Sequence, residues 1–280
     1  MKLFQKMSNN QARCLLCPRY CELGHDEVGA CHARICKQGE ICPSSYGIIS
    51  ALAVEPIEKK PLKHFLPGTK TLSLGGFGCN LECRYCENNN ISQVEPLTYD
   101  RQVSTFDVIE TAKERQVESV CMTYNEPTIA IEYLLELGKK CHENDLKFII
   151  KTNAYINQEP WEEVCKVVDA MNIDYKGSFD KFEDMTGCRY KDYGRKINTA
   201  LDNDVHVELS VPIFPGYNNE DGYYFHPLAT SCAEVGIEIP CHLLKINPAH
   251  LMIDAPTTSD EDIERAMEDL SYVFETIYRD

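Results

Sequence analysis

From about residue 69 onward, short apolar or β-rich runs alternate with stretches whose apolar residues recur at helical spacing. The runs fall at 71–74, 119–124, 147–153, 170–176, 206–214 and 241–247, each short enough for a strand. Between them, 105–116 carries Phe106, Ile109 and Ala112 on one predicted helix face, and 197–201 and 228–235 read as shorter helices. Pro127 and Pro160 stand where first-turn prolines open the helices that follow. Such alternation predicts an α/β fold, with a parallel sheet and crossover helices. Six strands predict a partial (β/α)6 barrel, whose chemistry belongs at the C-terminal strand ends. Residues 259–278 complete the pattern as an amphipathic helix packed on the barrel. Ser259 and Asp262 make a capping box there, and Ile263, Ala266, Met267, Leu270, Phe274 and Ile277 share a face.

The first 66 residues have a different texture, rich in Cys, Gly and Pro and without a long helical period. The expected division is a Cys-rich metal-binding module with an extended arm at 1–66, then the partial barrel with its C-terminal helix at 67–280.

Composition narrows the partners. The net charge is −16, from 44 acidic and 28 basic side chains, a balance that repels phosphate backbones and argues against nucleic acid. No apolar run has the length of a membrane span, and residues 1–13 lack a signal-peptide core. The expectation is a cytoplasmic protein with no membrane partner. Fifteen cysteines in such a chain point to metal rather than disulfides, because a reducing cytosol keeps thiols free. Nine of them precede residue 87, in two groups; the other six are scattered and read as small buried hydrophobes.

The second group is the sharper signal. Gly75-Gly76-Phe77-Gly78-Cys79-Asn80-Leu81-Glu82-Cys83-Arg84-Tyr85-Cys86 follows directly on the first strand of the alternating region. Three thiolates on one tight loop can hold three irons of a [4Fe–4S] cubane and leave the fourth open. An open iron can chelate the amino and carboxylate groups of an amino acid, which suits the methionyl end of S-adenosylmethionine (SAM). Tyr85 is placed to pack on its adenine. A zinc site is the alternative, but it would need a fourth ligand from elsewhere in the chain.

Cys-x3-Cys-x2-Cys after a strand resembles the signature of the radical SAM superfamily, and the similarity extends over almost the whole chain. It includes Cys14-x2-Cys17-Pro18-x2-Cys21, the arm from Pro56 to His64, Tyr124-Asn125-Glu126-Pro127, Thr152-Asn153, Asn172-Ile173-Asp174-Tyr175-Lys176 and Ile239-Pro240-x-His242. The sequence resembles the branch typified by the pyruvate formate-lyase-activating enzyme, and within it most nearly the radical SAM member of the AmmeMemoRadiSam system. The resemblance implies an enzyme of anaerobic, oxidoreductase type. Its reduced cluster cleaves SAM to a 5′-deoxyadenosyl radical, which abstracts hydrogen from a substrate. That substrate is expected to be a protein, with a small molecule as alternative and a non-catalytic Fe–S or zinc scaffold as the rival of another class. A low-potential donor, flavodoxin or ferredoxin, is implied.

Carried over residue by residue, the resemblance places Tyr124, Asn125 and Glu126 at the SAM amino group. Thr152, Asn153 and Asp174 fall near its carboxylate. Activating enzymes of this branch carry Asp-Thr-Asn-Gly where this chain has Lys151-Thr152-Asn153-Ala154, and there a monovalent cation can bind. Lys151 can replace that cation by pairing with Asp174, or it can face solvent. His242 and Glu208 alternate inward on their strands and are candidate catalytic residues, or simply buried polar ones. Cys14, Cys17, Cys21 and Cys31 supply four thiols in eighteen residues, with Cys36 and Cys42 just beyond. They predict a second centre, a further [4Fe–4S] or a zinc, because so small a segment cannot fold on apolar burial alone.

Overall fold

An eight-stranded sheet organises the chain, which the computed structural model describes at residues 1–96, 102–177, 179–189, 192–219, 225–235 and 238–280. The N-terminal module precedes it. There β1 (Phe4–Lys6), β2 (Ala12–Cys14) and β3 (Glu22–Leu23) pair antiparallel, and β4 (Arg34–Lys37) folds back on β5 (Glu40–Pro43). The large sheet opens with β6 (Ala51–Pro56), antiparallel to β7 (Lys70–Gly75). Then β8 (Ser119–Met122), β9 (Lys147–Thr152), β10 (Ala170–Asp174), β11 (His206–Ile213), β12 (Cys241–Lys245) and β13 (Ile277–Arg279) add in chain order, all parallel.

The short α1 (Asn89–Ser92) and then α2 (Thr105–Glu114) lead from β7 to β8, and α3 (Ile131–His142) from β8 to β9. The later crossovers are α4 (Gln158–Cys165), α5 (Phe179–Thr186) with α6 (Tyr193–Leu201), α7 (His226–Val235) and α8 (Asp260–Leu270). This is the expected mixed α/β partial barrel, with β6 and β13 at its two edges.

Period-two alternation gives the sheet two different faces. Leu72, Leu74, Val120, Phe148, Ile150, Met171 and Ile173 belong to the main apolar core with the helices. The alternate positions on the other face include Cys121, Ile149 and Ala170, which cluster with Ile57 and Leu62 of the arm. Polar members of that face also hold the arm: Asn172 Nδ2 donates to Pro61 O (2.9 Å), and Glu208 accepts from the Lys63 and His64 amides (3.0 and 2.8 Å). The arm therefore plugs the barrel instead of hanging from it, and its first part is a strand of the sheet.

Two expectations fail locally. Phe106 is 67% exposed, while Thr105, Val108, Ile109 and Ala112 are buried. The buried set follows the i, i+3, i+4, i+7 stripe, and Phe106 sits well off it. The C-terminal helix ends at Leu270 rather than running to 278. Phe274 is still buried, but Ile277 enters β13, where the Cys241 amide donates to Thr276 O (3.0 Å) and the Asp280 amide to Leu243 O (3.0 Å). The open edge of β12 offers backbone partners that further helical turns of Tyr272, Val273 and Phe274 would forgo. Among the described residues no helix is long and apolar enough to cross a membrane.

Candidate functional site: a cysteine-lined cavity at the strand ends

β7 runs straight into the glycine-rich loop. At Gly75 an added Cβ would lie 2.8 Å from the Tyr124 ring, and at Gly78 (φ +84°) it would lie 2.1 Å from the Cys31 carbonyl oxygen. Asn125 clamps the loop, accepting from the Gly76 amide (2.9 Å) and donating to Gly78 O (2.9 Å). Farther along, the amides of Glu82 and Arg84 donate to Thr186 O and Met185 O (2.9 and 3.0 Å), docking the loop on α5.

Cys79, Cys83 and Cys86 thereby line one cavity of about 370 Å³, shared with Tyr85, Glu126, Lys151, Asp174 and Lys176. Burial pushes the Cys83 thiol up to about 11, against the pull of Lys176, and holds Cys79 well above the ordinary range as well. Such thiols keep their protons until a metal displaces them. Asn153 Nδ2 reaches Cys79 Sγ (3.7 Å) and Ser92 Oγ lies 3.2 Å from Cys86 Sγ. Tyr85 stacks at a tilt on Phe214, with centroids 4.4 Å apart.

The charges beside the thiols are arranged from the ends of β9 and β10. Lys151 points inward, donating to Asp174 Oδ1 (2.6 Å), Asn172 Oδ1 (2.7 Å) and Ser210 Oγ (3.3 Å). Lys176 Nζ holds the other Asp174 oxygen at 3.2 Å. Burial opposes the ionisation of Asp174, but the two lysines outweigh it and hold its carboxyl below the usual range. Burial lowers Lys151, only partly offset by Asp174, whereas Lys176 is held well above its ordinary value because its neighbours overcome burial. Two lysines on one carboxylate leave this trio one positive charge in excess, in a cavity whose wall also carries Glu55, Lys59, Lys60, Glu87 and Glu126.

Glu126 lines the cavity and also has partners within the chain. It is 2% exposed, and its oxygens accept from the Thr128 amide (3.0 Å), Thr128 Oγ1 (2.6 Å), Thr152 Oγ1 (2.7 Å) and the Asn153 amide (2.8 Å). Three of these donors converge on Oε1 and one reaches Oε2, so Oε2 keeps an acceptor site. Glu126 thus ties the end of β8 to the end of β9. Tyr124, at φ +72°, turns its hydroxyl onto Glu55 of β6 and its ring under Lys60 Nζ, 4.8 Å from the centroid. Thr152 and Asn153 are buried at the same rim, and Ala154 holds φ +54°, a conformation glycine adopts more readily.

Glu208 and His242 do face inward, but they do not line this cavity. His242 Nε2 meets Glu208 Oε2 at 2.6 Å, its Nδ1 pairs with Asp280, and its ring stacks on Tyr278. Both lie near the N-terminal ends of their strands and fasten the arm and β13 to the sheet. The sequence pointed to Lys176 only as part of the segment that ends β10, and it did not place Glu55 and Lys60 at the cavity. Charged side chains bracketed by prolines at 55–61 were the available signal for the last two.

Cys14, Cys17, Cys21 and Cys31 come together at a separate small pocket with Arg19 and Arg34. Cys36 instead donates to Asn10 O (3.6 Å). None of the fifteen cysteines is in a disulfide. Among the described residues no three His, Cys, Asp or Glu side chains are arranged to hold a single metal ion.

The family model of the radical SAM superfamily matches residues 74–224, more than half of the chain. The chain belongs to the radical SAM superfamily. Membership implies a [4Fe–4S] cluster and SAM as cofactors and SAM cleavage as the shared chemistry. An uncharacterized protein of Methanocaldococcus jannaschii is 33% identical over 278 residues, covering 97% of this chain and 83% of that protein. The 4-hydroxyphenylacetate decarboxylase activating enzyme of Clostridium scatologenes is 32% identical over 106 residues, 36% of this chain and 34% of that enzyme. Among solved structures, Streptococcus suis SuiB bound to its precursor peptide SuiA shares the fold at TM-score 0.55 and 16% identity, over 72% of this chain and 46% of that one. This radical SAM protein thus has activating-enzyme-like relatives.

Proposed function

We propose that the protein is a radical SAM enzyme of activating-enzyme type that abstracts hydrogen from a protein or peptide substrate. The observation that carries this reading is the common cavity of Cys79, Cys83 and Cys86 with the Lys151–Asp174–Lys176 cluster. In this reading the three cysteines hold the cluster. When bound, cluster and SAM supply the reductively generated 5′-deoxyadenosyl radical that takes the hydrogen.

The chain's own groups bind and orient. Lys151 and Lys176 attract the methionyl carboxylate, and the polar strand end at 123–126 receives the amino group through its backbone and through Glu126 Oε2, which accepts a single bond within the chain. Tyr85 offers an aromatic face to the adenine. Asn125 and Asn153 hold the loop and Cys79 in place. A low-potential donor of flavodoxin or ferredoxin type supplies the electron, and fifteen unpaired cysteines suit a reducing cytoplasm.

Anaerobically reconstituted protein, given dithionite and SAM, is expected to form 5′-deoxyadenosine slowly, and Cys83→Ala to abolish it. Undiminished cleavage by Cys83→Ala would sink the ligand assignment. Deuterated extract, separated by dialysis into macromolecular and small-molecule fractions, then identifies the substrate class. Deuterium should enter 5′-deoxyadenosine from the macromolecular fraction; enrichment from the small-molecule fraction alone would move the assignment to a metabolite.

A further inference from the structure

Among the thiols that have no part in the cavity just described, four stand together. Cys14, Cys17 and Cys31 are buried and Cys21 is partly so, and all four line one pocket. Backbone bonds bring them there. The Cys14 amide donates to Cys21 O (2.8 Å), and the Tyr20 amide to Cys17 O (3.2 Å), closing the turn that returns Cys21 to Cys14. Tyr20 (φ +47°) and His32 (φ +59°), each next to one of these cysteines, hold left-handed backbone without being glycines. Such a conformation costs about 1–3 kcal/mol and persists where the surroundings demand it.

We propose that Cys14, Cys17, Cys21 and Cys31 hold a second [4Fe–4S] cluster, docked against the loop that carries Cys79. Two further observations support it. The module's strands are only two to four residues long, so sulfur occupies the place where a larger domain would keep its apolar centre. Arg34, 1% exposed, spends both terminal nitrogens on Glu132 (2.8 and 2.9 Å) but leaves its buried Nε–H without a partner, and it lines the thiol pocket. A buried donor left unmade is costly, and the sulfur of an anionic iron–thiolate centre would satisfy it.

The choice of cluster over zinc rests on an internal comparison. No three thiols of this group are set for a single ion, and the same holds for Cys79, Cys83 and Cys86, where family membership implies a cubane.

Contact with the first site is direct. Cys31 O occupies the space that a Cβ on Gly78 would need, and Arg19 Nε donates to Asn80 O (2.7 Å) on the far side of Cys79.

The test uses the full chain with Cys79, Cys83 and Cys86 all changed to Ala, reconstituted anaerobically with iron and sulfide. About four irons and four sulfides per chain, with a paramagnetic signal after dithionite reduction, is the expected result. One zinc and no iron overturns the proposal, as does a folded variant that holds neither metal. Should that variant precipitate, the wild-type chain decides. It should hold about eight irons, falling to about four in Cys17→Ser/Cys31→Ser. A wild-type content of about four irons, unchanged by that double substitution, refutes the second cluster. Formation of 5′-deoxyadenosine by the wild type reports separately on the proposed SAM chemistry.

Discussion

Replacing Lys151 with Met separates an inward-facing, working cation from an incidental one. The side chain stays unbranched, one atom shorter, and loses its charge. Removing one partner of a buried pair costs about 3–5 kcal/mol when nothing else compensates. Here compensation is substantial: Asp174 Oδ2 keeps Lys176 at 3.2 Å, and Asn172 Oδ1 keeps the Ser210 hydroxyl at 2.7 Å. What is lost is the 2.6 Å charge-assisted bond to Asp174, between groups that are 22% and 18% exposed, together with the ammonium's bonds to Asn172 (2.7 Å) and Ser210 (3.3 Å). The bond to Asp174 alone contributes about 1.5–3 kcal/mol, so a destabilisation of at least about 2 kcal/mol is expected. Urea unfolding of the anaerobic protein should show it as a lower midpoint with an unchanged slope. The second readout is SAM affinity, which should weaken about tenfold or more as the surplus cation disappears, a change of about 1.4 kcal/mol. Lys151→Asp restores the residue that relatives of the activating-enzyme branch carry and should make SAM binding depend on added monovalent cation. A Lys151→Met protein as stable as the parent, with SAM affinity unaltered, would refute both the pairing and its role.

Other expectations test the supports of the site. His242 keeps its proton above the ordinary value of about 6.5: burial alone would lower it, but Asp280 and Glu208 outweigh burial. Its contribution is therefore fully present below about pH 6.5 and lost as pH rises through the raised pKa, so His242→Gln should flatten stability against pH in that window. A wild-type midpoint that rises across the same window would contradict the network. Gly78→Ala should cost at least about 1–2 kcal/mol for left-handed backbone alone, and more because its methyl meets Cys31 O. Thermal unfolding and a reduced iron content would register it, and normal iron loading would mean that module and loop are not in contact.

Much of the sheet is written in period-two alternation, and its parallel order follows from the helices between strands. What escaped the sequence has identifiable causes. β6 carries Leu52 and Val54, but as an edge strand it leaves them 41% and 38% exposed, so its pattern lacks a buried face. The strands of the N-terminal module are too short for any period to show. Met267, Leu270 and Phe274 keep helical spacing past the point where the chain leaves the helix, because a free sheet edge competes for the backbone. At the cavity, residue types and strand ends pointed to the thiols, Lys151, Thr152, Asn153 and Asp174, which do line it, but their partners were not legible. Glu126 carries the charge expected beside an ammonium and also accepts from four donors of its own chain.

Position along a strand carries information that alternation does not. Glu208 is the third residue of β11 and His242 the second of β12, whereas Asp174 ends β10 and Thr152 ends β9. Inward-facing residues near strand starts meet the arm, and those at strand ends meet the cysteine cavity. The arm makes this division physical. Ile57 and Leu62 fill the lower interior with Cys121, Ile149 and Ala170, while Glu55 and Lys60 of the same segment reach the cavity and meet Tyr124. One ten-residue stretch thus closes one part of the barrel and furnishes wall to the other. A lesion in the arm should therefore disturb SAM binding and global stability together, whereas a lesion at Lys176 should act chiefly on the first.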